Sequence, residues 1–365
     1  MEYIKKITCN DPGVCKKTES FLQSQQWAEF KSRFGWKPFA FLIEWEGYGV
    51  TPLLTLYRCI VPRFSFTYIP WGPELPENFP AEFRTEALEE LALKLKPLIM
   101  PDNVFIRFEP PWLINEKEDA LHIETTLRRA SASVQPPDTV IINIDPSCEE
   151  ILNNMKQKWR YNISLSGKKN VKVNCSRDIE TFYKLLKETA LRDGIAVHSI
   201  DYYKALFEIF GDLNLRLYIA SHEDDYLAAI VVLLREKTAT YLYGASSNKK
   251  RNFMAAYALQ WKAIQDAKKA GCLYYDLFGI PPDDDPNHPM AGLYRFKTGF
   301  GGKIIHRTGA WDYPVKPAFY YIFYLAEKLR KKIMNLKKQK PKKNINKEAA
   351  QKLKFQDNSI ETKIE

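Results

Sequence analysis

One order of elements occurs twice along this chain: a helix, a meander of strands, a second helix and a closing strand. In the first half Ser24 can cap a helix in which Trp27, Phe30 and Phe34, at spacings of three and four, make one apolar face. Lys31 lies one turn after Trp27, at the edge of that face. Strand-like runs follow at 39–44, 51–59 and 66–69, then a helix over 82–94 and a strand over 103–108 that closes on Glu109-Pro110-Pro111. QPPD at 135–138 is the natural boundary. In the second half a β-branched strand at 139–144 leads to a helix that Asp145-Pro146-Ser147 can start. Helices are read over 178–192 and 201–210, and antiparallel strands over 215–220, 226–234 and 238–243. A long helix over 250–270 sets Met254, Tyr257, Trp261 and Ile264 on one face and stops at Gly271. A strand at 273–278, the acidic loop PPDDDPNHP and the run LYRFKTGFGGK follow, with Phe296-Lys297 read at a strand edge. An aromatic-rich helix over 316–336 needs a partner surface in residues 1–138 for Phe319, Tyr320, Phe323 and Tyr324. This order is mixed α+β and lacks the strict βαβ alternation of a doubly wound sheet.

The net charge of +10 is unevenly placed. Residues 328–365 hold thirteen Lys and Arg against four Asp and Glu, which leaves the preceding 327 residues close to neutral. The body is therefore not uniformly basic, as a general nucleic-acid binder would be, and any RNA contact there has to come from local patches. One such patch, 156–173, holds Lys156, Lys158, Arg160, Lys168, Lys169 and Lys172 and no acidic residue. It reads equally as a surface for RNA phosphates or as a solvated helix face. The basic tail reads as a contact for RNA, a contact for an anionic membrane surface, or a solubility tail. No run of about 18 apolar residues suggests a membrane span, and MEYIKKITCNDPG lacks the apolar region of a signal peptide. The expected location is the cytoplasm, with peripheral membrane contact through the tail. The six cysteines form neither a CxxC pair nor a zinc-spaced cluster with His, so free, mostly buried thiols are expected.

The common catalytic signatures GxSxG, HExxH, the Walker glycine loop and GxGxxG are absent, which disfavours a Ser triad or a metal hydrolase. The Gly-rich turn with which acetyl-CoA acetyltransferases cradle a pyrophosphate would precede the long helix. There the chain reads SSNKKRN, without the glycines that close backbone approach requires.

SQQWAEFKSRFGW near the start, IRFEPPW at 106–112, and YLYGASSN followed by AAYALQWKAIQDAKKAGCLYYDLFGI and LYRFKTGFGG run in consistent order across about residues 20–325. Together they resemble the FemABX family of aminoacyl-tRNA-dependent peptidyltransferases. The resemblance implies two tandem GCN5-related acetyltransferase-like (GNAT) domains, one of residues 1–138 with 309–336 and one of 139–308, before a basic flexible tail at 337–365. It implies an aminoacyl-tRNA donor and an acceptor that is UDP-MurNAc-pentapeptide or lipid II. A monomer without metal, ATP or redox cofactor is expected. Some members insert a long helical arm in the second domain. Too few residues lie between Arg160 and Gly194 to hold one, so the chain resembles the armless, FemX-like branch.

Position by position, Lys31 matches a family lysine that meets the precursor's diphosphate, and Tyr202 and Tyr243 match tyrosines lining that site. The family has an arginine four residues before Tyr202 where this chain has His198, and a neutral imidazole holds a diphosphate less well than a guanidinium. Phe296 and Lys297 match the family's catalytic Phe-Lys pair. When an amine attacks the ester of a charged tRNA, an oxyanion develops, and a fixed cation stabilises it more in the transition state than in the ground state. Phe296 offers a ring to the terminal adenine. Glu109 sits where the family often has Asp, and reads either as acceptor of the amine's proton or as a structural partner of Arg107. By composition alone these residues read as core aromatics and solvated lysines. The rival readings are a GNAT-type N-acyltransferase on another amine and a non-catalytic RNA- or membrane-surface adaptor.

Overall fold

The computed structural model, which describes residues 2–114 and 125–339, contains two seven-stranded sheets. The first holds β1 (Ile4–Asn10), β2 (Lys37–Trp45), β3 (Gly49–Val61), β4 (Phe64–Pro70), β5 (Asn103–Glu109), β6 (Arg128–Arg129) and, from far along the chain, β14 (Trp311–Pro314). The second holds β7 (Asp138–Asn143), β8 (Lys172–Ser176), β9 (Leu215–His222), β10 (Asp225–Arg235), β11 (Thr238–Ser246), β12 (Tyr274–Asp276) and β13 (Lys303–His306). The helices used below are α1 (Gln25–Ser32), α2 (Arg84–Leu95), α3 (Cys148–Asn153), α4 (Gln157–Lys168), α5 (Ile179–Asp193), α6 (Ile200–Asn214), α7 (Ala255–Lys269), α8 (Ala291–Thr298) and α9 (Pro317–Gln339).

The strand orders are β1-β2-β3-β4-β5-β14-β6 and β8-β9-β10-β11-β12-β7-β13. Both follow one rule: an antiparallel meander, one parallel pair (β4 with β5, β11 with β12), then antiparallel strands to the far edge. A parallel pair cannot be closed by a tight turn. Each therefore needs a crossover, supplied by α2 in the first sheet and α7 in the second. The mixed α+β reading holds, and between α4 and α6 the chain forms β8 and α5 rather than a coiled-coil arm.

Three faces of these sheets are covered by apolar helix stripes. Ala87, Leu88, Leu91, Ala92 and Leu95 of α2 pack on one face of the first sheet. α7 lies on one face of the second. Between the sheets, α1 and residues such as Leu54, Leu56 and Tyr68 share a single cluster with Phe182, Leu186, Tyr203, Phe210 and Val231. A core that crosses from one sheet to the other fixes their relative position, because opening it exposes apolar area at about 25 cal/mol per Å².

Several local readings are corrected. The long helix begins at Ala255 because Lys250 and Met254 adopt left-handed backbone (φ +45° and +57°) around a short 3-10 turn. Its buried face is Ala255, Leu259, Ala263, Ile264 and Ala267, whose small members allow close approach to the sheet, while Tyr257 and Trp261 are half-buried. Phe296 and Lys297 lie within α8 and not at a strand edge, and the Phe296 ring packs on Tyr257 of α7 and on Phe300 just beyond the helix, both 5.2 Å away. The last helix continues to Gln339, and the tail from 340 to 365 lies outside the described residues. Tyr320, Phe323 and Tyr324 pack on Phe64, Val104 and Phe105, but Phe319 points to solvent. All six cysteines are free, yet only Cys15 and Cys272 are buried. Cys9 and Cys175 sit on the edge strands β1 and β8, most of whose residues are exposed.

Candidate active site

The turn after β12 is the centre of the site. Lys297, only 6% exposed, donates from Nζ to the carbonyls of Gly279 (2.8 Å) and Phe278 (3.3 Å) and lies 5.2 Å from the Tyr241 ring centroid. Burial pulls this ammonium down to about 7, with the Asp276 carboxylate pulling the other way. The lysine is reached from α8, and α8 is held in turn by Trp159, whose indole N–H donates to the Phe296 carbonyl (2.9 Å). The same indole lies flat against Gly299, where a Cβ would stand 2.1 Å from it, so only glycine allows that fit.

Asp276 is buried at the end of β12 and shapes the turn that holds Lys297. Its Oδ1 accepts the Phe278 N–H (2.7 Å) and the Thr139 hydroxyl. Arg307 stands with Nη2 3.9 Å from Asp276 Oδ2 and its guanidinium 4.4 Å from the Trp71 ring centroid, and burial lowers its pKa. Its Nη1 has no hydrogen-bond partner among the described residues. Trp71 meets the Phe278 ring edge-on (5.7 Å), so the first sheet's β4 end and the second sheet's β12 end close on one another here.

Glu109, at the end of β5, does not pair with Arg107. Arg107 instead turns to Asp312 and Glu327. Glu109 accepts from the Tyr68 hydroxyl and from the backbone N–H groups of Val134 and Gln135, which ties the inter-sheet segment to β5. Burial pushes its carboxyl up, against the pull of those bonds.

The four residues expected at the precursor site gather around the aromatic cluster between the sheets. Ser24 caps α1 through the Trp27 N–H (3.1 Å), which sets Lys31 in the last turn. The chain then reverses so that Trp36 N–H reaches the Lys31 carbonyl, and the Lys31 ammonium lies 5.4 Å from both the Trp27 and Trp36 ring centroids. Tyr202 of α6 meets Phe30 edge-on (4.7 Å) and stacks on His198 (3.8 Å, 12°). Tyr243 meets Tyr203 (5.3 Å), and a bulge in β11 explains its direction. Val231 pairs with Tyr243 and Val232 with Tyr241, so Leu242 is the extra residue. Without the bulge, Tyr241 and Tyr243 would share a face. With it, Tyr241 packs into the α7 core and Tyr243 into the inter-sheet core. Gly244 leaves room for the Tyr241 hydroxyl, which a Cβ would overlap at 1.7 Å. A row of rings, Trp27–Phe21–Trp71–Phe278, joins this cluster to the Lys297 turn.

The basic segment begins beside α8. Lys156 N–H donates to the Gly299 carbonyl (3.0 Å), and Lys156, Lys158, Lys168 and Lys169 are exposed along and around α4. Arg160 folds back instead, donating to the Asn153 and Met155 carbonyls that end α3. Lys169 lies 5.5 Å from the Phe253 ring centroid. Asp276, Arg307, Trp71 and the bulge were not singled out from sequence. An acidic residue inside the apolar run YYDLF was the available signal for Asp276.

A model of the FemAB family matches residues 120–223 and 215–328. Lipid II:glycine glycyltransferase of Staphylococcus aureus (strain USA300) is 24% identical, over 82% of this chain and 89% of that protein. Among solved structures, FemX superposes with a TM-score of 0.74 at 21% identity, covering 87% of this chain and 100% of its own. A tandem GNAT protein from the clavulanic acid biosynthesis pathway superposes with a TM-score of 0.50 at 9% identity, covering 86% and 99%.

Proposed function

The chain belongs to the FemAB family, and on that premise we propose that it is an aminoacyltransferase of peptidoglycan cross-bridge synthesis, moving an amino acid from aminoacyl-tRNA to the stem-peptide amine of a lipid II or UDP-linked precursor. The observation that carries this reading is the buried Lys297 ammonium held on the Phe278 and Gly279 carbonyls, next to Phe296 and beside an exposed basic helix. The acceptor amine attacks the ester carbonyl, a tetrahedral oxyanion forms, and the bond to the tRNA 3′ oxygen breaks to leave an amide. The amine gives up a proton and the departing 3′ oxygen gains one. Lys297 stabilises the oxyanion in a site from which water is largely excluded. Glu109, with its raised pKa and Tyr68 on Oε2, is assigned the amine's proton. Phe296 faces the terminal adenine, and Lys156, Lys158, Lys168 and Lys169 line the approach of the acceptor-arm phosphates, while Arg160 is engaged by the Asn153 and Met155 carbonyls. On this reading the protein is a monomer that works in the cytoplasm and at the membrane's inner surface.

Lys31, His198, Tyr202 and Tyr243 are assigned to the precursor. Lys31→Ala or Tyr243→Ala is expected to weaken UDP-linked pentapeptide binding in calorimetry, by about 2 kcal/mol or more for a desolvated phosphate contact. His198→Arg is expected to tighten it. Unchanged affinity in all three would move the precursor site elsewhere. The activity itself is tested by incubating purified protein with tRNA charged with Gly, Ala or Ser and with either precursor, then weighing the product. A mass gain of one residue supports the proposal. Turnover only with acyl-CoA donors would support an N-acyltransferase instead.

A further inference from the structure

The helix α9 is apolar on two opposite sides. Its inward side, Tyr320, Phe323 and Tyr324, packs on the first sheet. Phe319, Ile322, Leu325 and Leu329 fall at spacings of three and four on the other side and are 55% to 65% exposed. A surface helix normally presents charged residues there. An outward stripe of four large apolar side chains on one helix is a patch that needs covering.

What covers it is indicated by charge. From Lys328 to Lys343 the sequence holds nine Lys and Arg and no acidic residue. A second copy laid on this face would bring the same positive charge with it. RNA would answer the charge but not the apolar side chains. An anionic bilayer answers both: headgroups meet the lysines while the apolar side chains enter the acyl boundary. No helix among the described residues is long and apolar enough to cross a membrane.

We propose that the outward face of α9 docks this protein on an anionic lipid surface. The helix is placed to serve the site as well. It advances along β5 from Phe105, which meets Tyr320, to Arg107, which meets Glu327, toward the strand end that carries Glu109. A lipid held against α9 therefore lies on the side of the molecule where an isoprenoid-linked acceptor would have to be presented. That use of the surface rests on the functional reading above, whereas the docking itself rests on the stripe and its charge.

The test is co-sedimentation of the full chain, wild type and Ile322→Glu/Leu325→Glu, with phosphatidylglycerol–phosphatidylcholine vesicles and with phosphatidylcholine vesicles. Both substituted positions are exposed, so the melting temperature is expected to stay the same. Wild type is expected to bind the anionic vesicles, with affinity falling as salt rises, and the variant is expected to bind at least about tenfold more weakly. Transfer to a lipid-linked acceptor in those vesicles should fall in parallel, with transfer to the UDP-linked precursor unchanged. Equal vesicle binding by both proteins, or none by either, overturns the proposal. So does a lipid-free wild-type dimer that the variant converts to monomer, which would assign the stripe to a second copy. A binding difference without transfer activity on any acceptor leaves the docking standing and rejects the functional reading.

Discussion

Lys297→Met is expected to reduce transfer by at least about 10²–10³-fold while leaving the precursor's dissociation constant within a few-fold of wild type. The lysine is assigned to charge that exists only as the ester carbonyl becomes tetrahedral, so its loss belongs in the chemical step and not in ground-state binding. Single-turnover rates with pre-bound charged tRNA measure this directly, and near-normal turnover would make Lys297 a structural residue. The fold should tolerate the change. Burial holds the ammonium near 7, below its ordinary value, so the folded state disfavours the charged form. The unfolded chain therefore binds more protons between that value and the ordinary lysine range, and the penalty on stability is full at lower pH and relieved as pH rises through this window. Methionine carries no such penalty, so the melting temperature at neutral pH should be equal or higher.

The same displacement gives the rate a pH signature. If the charged lysine is the active form, turnover falls as pH rises through about 7. Asp276 is the group that opposes burial at Lys297, so Asp276→Asn is expected to move this alkaline limb to lower pH. Asparagine keeps an oxygen for the Phe278 N–H, so the turn itself is retained. An unmoved limb would mean that the titration belongs to another group.

The sequence made the scaffold legible because its signals are local. Ser24 before Trp27 and Phe30, the β-branched run at 139–144 and the three strands from 215 to 243 each declare themselves within a few residues. The repeated order then follows from adding them up. The misread points are places where a local signal is silent. Lys250 and Met254 take left-handed backbone without a glycine to announce it, so the helix start was placed too early. Phe296-Lys297, read at a strand edge, belongs to the short helix α8, which the Gly-rich run from 299 to 302 ends at once. The site is less legible still. Lys297 draws its partners from a turn 18 and 19 residues away, and Trp71 reaches Arg307 from the other sheet. Nothing in the neighbourhood of either residue encodes that meeting. Arg107 shows the same limit: two positions from Glu109 in sequence, it spends its bonds on Asp312, 205 residues away.

Arg107→Ala is expected to destabilise the protein by about 3–5 kcal/mol, the range for removing one member of a buried ion pair. Arg107 forms a two-pronged contact with Asp312, Nε to Oδ1 at 2.7 Å and Nη2 to Oδ2 at 2.9 Å, and a second with Glu327 at 3.1 and 3.2 Å. Burial works against the guanidinium's charge, and these bonds outweigh it and hold its pKa up. Asp312 is fully buried, so alanine at 107 would strand a carboxylate that, among the described residues, keeps only the Tyr320 hydroxyl (3.2 Å) as a side-chain partner. The contact joins three elements distant in sequence: β5, β14 and α9. Its loss should therefore lower the urea midpoint and release α9 to early proteolysis. The cost arises from the stranded charge more than from the lost attraction. Arg107→Leu combined with Asp312→Leu and Glu327→Gln should accordingly recover much of the stability that Arg107→Ala alone removes. A loss below about 1 kcal/mol in the single variant would place Asp312 in contact with water and reject a buried pair.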